Sequence, residues 1–191
     1  MQRFITLAFS ALLLLSLNAA TPETHYTVIV SLDGFRWDYP DMYKTPNLDR
    51  MAADGVKAVM LPSYPASTFP NHYTLATGLV PDHHGIINNT FWDVKNRRQY
   101  SMGDSATRNN PEYYLGEPIW ITAQKQGVKT GNMYWVGSDI AIKKSHPTYY
   151  RPWNAKPFLT FEQRIDTVLT WLQKPEPERP RLIMLYLGSR S

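Results

Sequence analysis

The chain has 191 residues, enough for one domain, and its 43% hydrophobic and 13% aromatic content excludes a disordered polymer. The net charge of +4 (20 basic against 16 acidic residues) is scattered. Its densest basic runs, Lys95-Asn96-Arg97-Arg98 and Lys143-Lys144, are too short to track a nucleic-acid duplex. With no cysteine, disulfides and thiolate metal sites are excluded, and any metal must be held by oxygen and imidazole.

At the amino terminus, "MQRFITLAFSALLLLSLNAA" places Arg3 before an apolar run from Phe4 to Leu17 and ends on small residues. This is the pattern of a secretory signal over residues 1–20, and its apolar core is too short for a comfortable membrane span. The expectation is export, with cleavage after Ala20 and a mature chain over 21–191. Asn18 departs from the usual small-residue pattern before the cut, and an uncleaved anchor is the alternative. An exported chain without disulfides suits a bacterial periplasm, so the expected destination is periplasmic or secreted. No stable membrane span is expected after cleavage, and the oligomeric state is not legible.

"YTVIVSLDG" (26–34) is an apolar, β-branched run ending in Asp-Gly and predicts a buried strand followed by a turn. "TPNLDRMAADG" predicts a helix with Thr45 as cap, Pro46 at its first position and Gly55 as its stop. "VKAVMLP" (56–62) predicts a second strand. "PASTFPNHYTLATG" (65–78) then predicts a short helix closing at Gly78. Residues 88–116, rich in Asn, Arg and Tyr, read as a long surface insertion. "EPIWITAQKQG" (117–127) predicts another helix, and "VKTGNMYWVG" a strand after it. "TFEQRIDTVLTWLQK" (160–174) opens with a capping-box pattern, Thr160 and Gln163, and places Phe161, Ile165, Val168, Leu169 and Leu172 on one face. "LIMLYL" is the last strand. Strands and helices alternate, so the fold class is α/β, a mostly parallel central sheet with flanking helices.

In open α/β sheets ligands bind beyond the carboxyl ends of strands, where Asp33 stands. Asp33 reads either as a turn former or as a hard oxygen ligand for a metal. Thr68 reads either as a helix cap or as a nucleophile at a helix mouth, where N–H groups and the helix dipole favour a phosphate. The histidines, His25, His72, His83, His84 and His146, show no metal-ligand spacing and read as structural or solvent-facing.

In order, "SLDGFRWDY", "TPNLDRMAADGVKA", "STFPNHYTLATGLVPDHHGIINNTFWD", "GEPIWITAQKQG", "GSD" and "FEQRIDTVLTWL" carry a resemblance. They are similar to the catalytic domain of the nucleotide pyrophosphatase/phosphodiesterases, members of the alkaline phosphatase superfamily. The resemblance implies an alkaline-phosphatase-like fold and zinc-dependent hydrolysis of nucleotide phosphodiester or pyrophosphate bonds, releasing nucleoside monophosphate. By position it implies Asp33 as a ligand of one of two zinc ions, and Thr68 as the nucleophile whose oxygen meets the same metal. Asn89 matches the asparagine that hydrogen-bonds a phosphate oxygen. Phe69 and Tyr186 match aromatics that flank the substrate base, although Phe69 also fits a core position. The backbone N–H groups after Thr68 are expected to assist Asn89.

The family's last strand runs on into D-x-x-x-H and a later Asp-His pair, which supply most zinc ligands. Here "LIMLYL" is followed by "GSRS", with Ser191 where the first of those aspartates is expected. The expectation is therefore an incomplete N-terminal part of the catalytic domain, whose last strand would lack neighbours. A non-catalytic secreted fragment and a diesterase acting on lipid headgroups are the alternatives. A sulfatase is not expected, since "SYPAS" lacks the arginine and the chain lacks the cysteine of that pattern.

Overall fold

The computed structural model describes residues 25–188, so the expected signal segment and Ser191 lie outside the described residues. The elements of the first half are β1 (Thr27–Leu32), α1 (Pro46–Asp54), α2 (Thr68–Thr77) and the strands β2 (Thr90–Asp93) and β3 (Arg98–Ser101). Then come α3 (Ile119–Lys125), β4 (Thr130–Met133), β5 (Tyr149–Arg151), α4 (Phe161–Leu172) and β6 (Leu182–Leu187).

The main sheet has the order β1-β6-β4-β5, and every ladder in it is parallel. β6 pairs with β1 from Thr27↔Leu182 to Leu32↔Leu187, and with β4 on its other side. Its continuous apolar run is what a strand covered on both faces requires. The last strand therefore has both neighbours, contrary to the expectation that it would lack them. The bare place is β1, where Val28, Val30 and Leu32 are exposed on one face.

Helices lie on both faces. α4 covers one, where Trp171 packs on Gly131 beside Ile183. On the other, α2 reaches β1 through His72 and Ser31, and α3 reaches β4 through Gln124 and Thr130. The capping box of α4 is formed: the Gln163 N–H donates to the Thr160 hydroxyl at 3.3 Å, and the Thr160 N–H donates to the Gln163 side chain at 3.0 Å. Each satisfies a donor that a helix start leaves unpaired.

Three expectations are corrected. Residues 56–62 form no strand: Val56 is 93% and Leu61 88% exposed, and among the described residues no neighbouring strand supplies ladder partners. Residues 88–116 are not a surface insertion, because β2 and β3 form a hairpin over a core of their own tyrosines. Phe91 stacks on Tyr100 at 4.6 Å, and Tyr113 donates to Asp93 at 2.7 Å. The buried face of α4 is Arg164, Val168 and Trp171, while Phe161, Ile165 and Leu169 remain exposed. Arg164 is buried because its guanidinium donates to the carbonyls of Leu159, Tyr186 and Gly188, each at 3.1 Å, and lies over the rings of Tyr134 and Phe158.

Candidate active site

The carboxyl end of β1 and the start of α2 meet in a pocket of about 650 Å³. Gly34, with φ +74°, turns the chain just after the strand, so that Asp33 and Phe35 both line this pocket. The backbone of Asp33 is tied to the sheet by its N–H to the Leu187 carbonyl at 3.0 Å.

Thr68 is the first residue of α2. The cap position belongs to the extended Ser67, so of the two readings of Thr68 the cap is the one the structure does not bear out. Ser67 is turned aside, its hydroxyl donating to the Asn88 side chain at 3.1 Å. The Thr68 hydroxyl is left facing the pocket and donates to Asp33 Oδ2 at 3.2 Å. The preceding loop is pinned by Asn71, whose Oδ1 accepts the Ser63 N–H at 2.7 Å. Its Nδ2 faces the carbonyls of Ser63, Pro65 and Ser67 at 3.3, 2.9 and 3.0 Å.

One turn on, His72 secures the same residue from behind. Its Nδ1 lies 2.7 Å from the Thr68 carbonyl, which only accepts, so Nδ1 carries the proton and Nε2 accepts the Ser31 hydroxyl at 2.7 Å. Burial lowers its pKa, more than the Thr68 carbonyl and the Asp33 charge raise it. The ring is held neutral as a strut.

Asn89 stands at the pocket wall with its Oδ1 accepting the Phe69 N–H at 2.9 Å. That bond fixes which way the amide faces, because a backbone N–H needs the oxygen. It also corrects the expectation for the backbone donors after Thr68: the Phe69 N–H is occupied, and Pro70 has none. Among the described residues nothing accepts from Asn89 Nδ2.

The two aromatics expected beside a substrate base lie elsewhere. Phe69 is 1% exposed and packs edge-on against Trp153 at 5.3 Å. Tyr186 is 2% exposed, and its hydroxyl donates to Asp33 Oδ2 at 2.6 Å. Burial and the Asp33 charge raise the pKa of that hydroxyl, so it remains a donor. Neither ring lines the pocket; the aromatic that does is Phe35. The sequence reading missed Ser31, Asn71 and Asn88 as supports. The spacing of Thr68 and His72, four apart on one helix, is the signal that could have tied His72 to Thr68.

For a metal, Asp33 and Thr68 offer two oxygens, and among the described residues no three of His, Asp and Glu converge. A tight zinc site takes roughly three or four protein ligands, so these residues do not by themselves fit the ion.

Comparison with known proteins shows the family and the fold. The family model for type I phosphodiesterase / nucleotide pyrophosphatase matches residues 27–189. The chain is 42% identical over 163 residues to ectonucleotide pyrophosphatase/phosphodiesterase family member 3 of Bos taurus, and 44% identical over 168 residues to family member 1 of Homo sapiens. Those stretches cover 84% and 86% of this chain and 18% of each relative, so the chain spans less than a fifth of their length. Murine ectonucleotide pyrophosphatase/phosphodiesterase 5 superposes with a TM-score of 0.77 at 33% identity, covering 86% of this chain and 43% of that one. A second structure of that murine protein, an inactive threonine-to-alanine variant, is in complex with AMP. Fold and site thus define an alkaline-phosphatase-like chain with a hydroxyl at a helix mouth. The chain belongs to the type I phosphodiesterase / nucleotide pyrophosphatase family, and the relatives it matches are enzymes. Among the described residues no helix is long and apolar enough to cross a membrane.

Proposed function

We propose that Thr68 is the nucleophile of an exported phosphodiesterase that cleaves nucleotide phosphodiester or pyrophosphate bonds and releases nucleoside monophosphate. The observation that carries this reading is the Thr68 hydroxyl, first in its helix and hydrogen-bonded to Asp33 at 3.2 Å inside the pocket. The inactive threonine-to-alanine relative bound to AMP supports it. The Phe4–Leu17 apolar run supports export.

In this reaction the Thr68 oxygen attacks phosphorus as its proton passes to Asp33. The bond to the leaving oxygen breaks, and that oxygen takes a proton from solvent. Water then cleaves the nucleotidyl-threonine and restores the hydroxyl, and Asp33 returns its proton to solvent. Asn89 Nδ2 donates to a non-bridging oxygen of the phosphoryl group as charge develops there. Two zinc ions belong to this reading through the family resemblance, with Asp33 and Thr68 as ligands of one. The described residues fall short of a zinc site, and the steps above use the chain's own groups.

A non-catalytic reading is favoured by one observation, the two-oxygen donor set. Hydrolysis of an aryl phosphodiester, with and without added zinc, separates the two. The proposed function expects turnover that Thr68→Ala abolishes, and a nucleotidyl adduct that mass spectrometry maps to Thr68. Turnover that survives in Thr68→Ala refutes the nucleophile. No turnover under either condition establishes the non-catalytic reading.

A further inference from the structure

We propose that Tyr186 is a positioning residue that aims the Asp33 carboxylate at Thr68; this rests on the reading of Thr68 as the nucleophile. Asp33 is an exposed side chain at a turn, just before a glycine in the left-handed region. Left to itself, such a carboxylate turns into solvent. Two hydroxyls converge on one of its oxygens: Thr68 from the pocket at 3.2 Å, and Tyr186 from the core at 2.6 Å. Only the second comes from a fully buried group.

The register explains how the phenol arrives there. Ser31 faces Tyr186 across the β1–β6 ladder, and Asp33 lies two residues on, so its side chain projects on the same side of the sheet. The tyrosine ring then spans the distance from the strand to the carboxylate beyond its end. It is held edge-on by His72 at 5.0 Å and against Trp153 at 5.2 Å. Behind it, Arg164 binds the carbonyls of Tyr186 and Gly188. A side chain at Gly188 would strike both the Tyr186 hydroxyl and Asp33 Cβ, so a bare backbone closes over the pair.

His72 touches both partners of this arrangement. It packs on the Tyr186 ring and binds the Thr68 carbonyl, so the phenol and the nucleophile's backbone share one rigid support. The residue expected from the sequence to stack on a substrate base instead holds the carboxylate that meets the Thr68 hydroxyl.

The test uses the full chain and Tyr186→Phe, which keeps the ring and removes only the hydroxyl. The expected result is a kcat for an aryl phosphodiester reduced about tenfold, the size of a lost hydrogen bond to a charged group, with KM unchanged. A crystal structure of the variant is expected to show Asp33 turned away from Thr68, which a purely structural role for the ring would not produce. An unchanged kcat, a change confined to KM, or an Asp33 still on Thr68 overturns the proposal. A wild-type chain with no Thr68-dependent turnover removes the nucleophile assignment first and this one with it. That outcome differs from a fully active Tyr186→Phe, which removes this one alone.

Discussion

Asn89 reaches across the mouth of α2 and accepts the N–H of Phe69, so the amide next to the Thr68 hydroxyl is occupied. The donor available to an oxyanion at that place is the Asn89 amide group itself. In the proposed reaction Asn89→Ala lowers kcat by about 100-fold, in the range for loss of one oxyanion donor. Asn89→Asp keeps the acceptor for Phe69 but adds a second carboxylate near Asp33, so it lowers kcat further. Steady-state kinetics giving the order Asn, Ala, Asp checks this.

Trp171 lies against the bare α-carbon of Gly131, where an added methyl group would come within 2.8 Å of a ring carbon. The contact joins α4 to the sheet at the centre of the core. Gly131→Ala is expected to destabilise by about 1–3 kcal/mol through overpacking, read from urea unfolding midpoints. A second substitution, Trp171→Leu, opens the space and makes the pair less costly than the sum of the two.

The capping box of α4 gives a smaller, local effect. Thr160→Ala removes one partner of the Gln163 N–H and is expected to cost about 1 kcal/mol. For a domain of this size that lowers Tm by about 2–4 °C. Gln163→Ala adds little once Thr160 is gone, because the two bonds act as one reciprocal unit. Thermal melts of the single and double variants check it.

His84 makes stability depend on pH. It is fully buried; its Nδ1 accepts the Ile86 N–H at 3.2 Å, and its Nε2 faces Thr74 and Pro70. Burial holds its pKa below the ordinary 6.5, and His72 is lowered for the same reason. The unfolded chain then binds protons that the folded chain refuses. Stability is complete above the unfolded value of 6.5 and falls as pH drops toward the folded values. Urea midpoints measured from about pH 8 to about pH 5 are expected to be flat and then decline, and His84→Gln flattens part of the decline.

Much of the frame was legible because local chemistry determined it. The caps and stops at Pro46, Gly78 and Thr160 fall where turn and cap preferences put them, and the unbroken apolar run of β6 marked a strand. The failures share another cause, since they turned on partners distant in sequence. Residues 56–62 have the composition of a strand, but a strand needs a neighbour. Arg164 looked like the polar side of its helix until carbonyls from β6 and three aromatic rings surrounded it. The tyrosines of 88–116 read as polar decoration because sequence shows a hydroxyl and hides which way the ring points. At the site, motif and position brought Asp33, Thr68 and Asn89 together. Phe69 and Tyr186 went astray because their burial depends on Trp153, which no local pattern ties to them.

The strand order also bears on the chain's birth. Among the described residues β1 and β4 do not pair with each other; each pairs with β6, which follows both in the chain. Among the described residues β1 has no other ladder to join, so until Leu182–Leu187 has left the ribosome Thr27 waits for Leu182. Such late, long-range closure is slow. Within the described sheet, β6 is thus the strand that joins β1 to the β4–β5 pair.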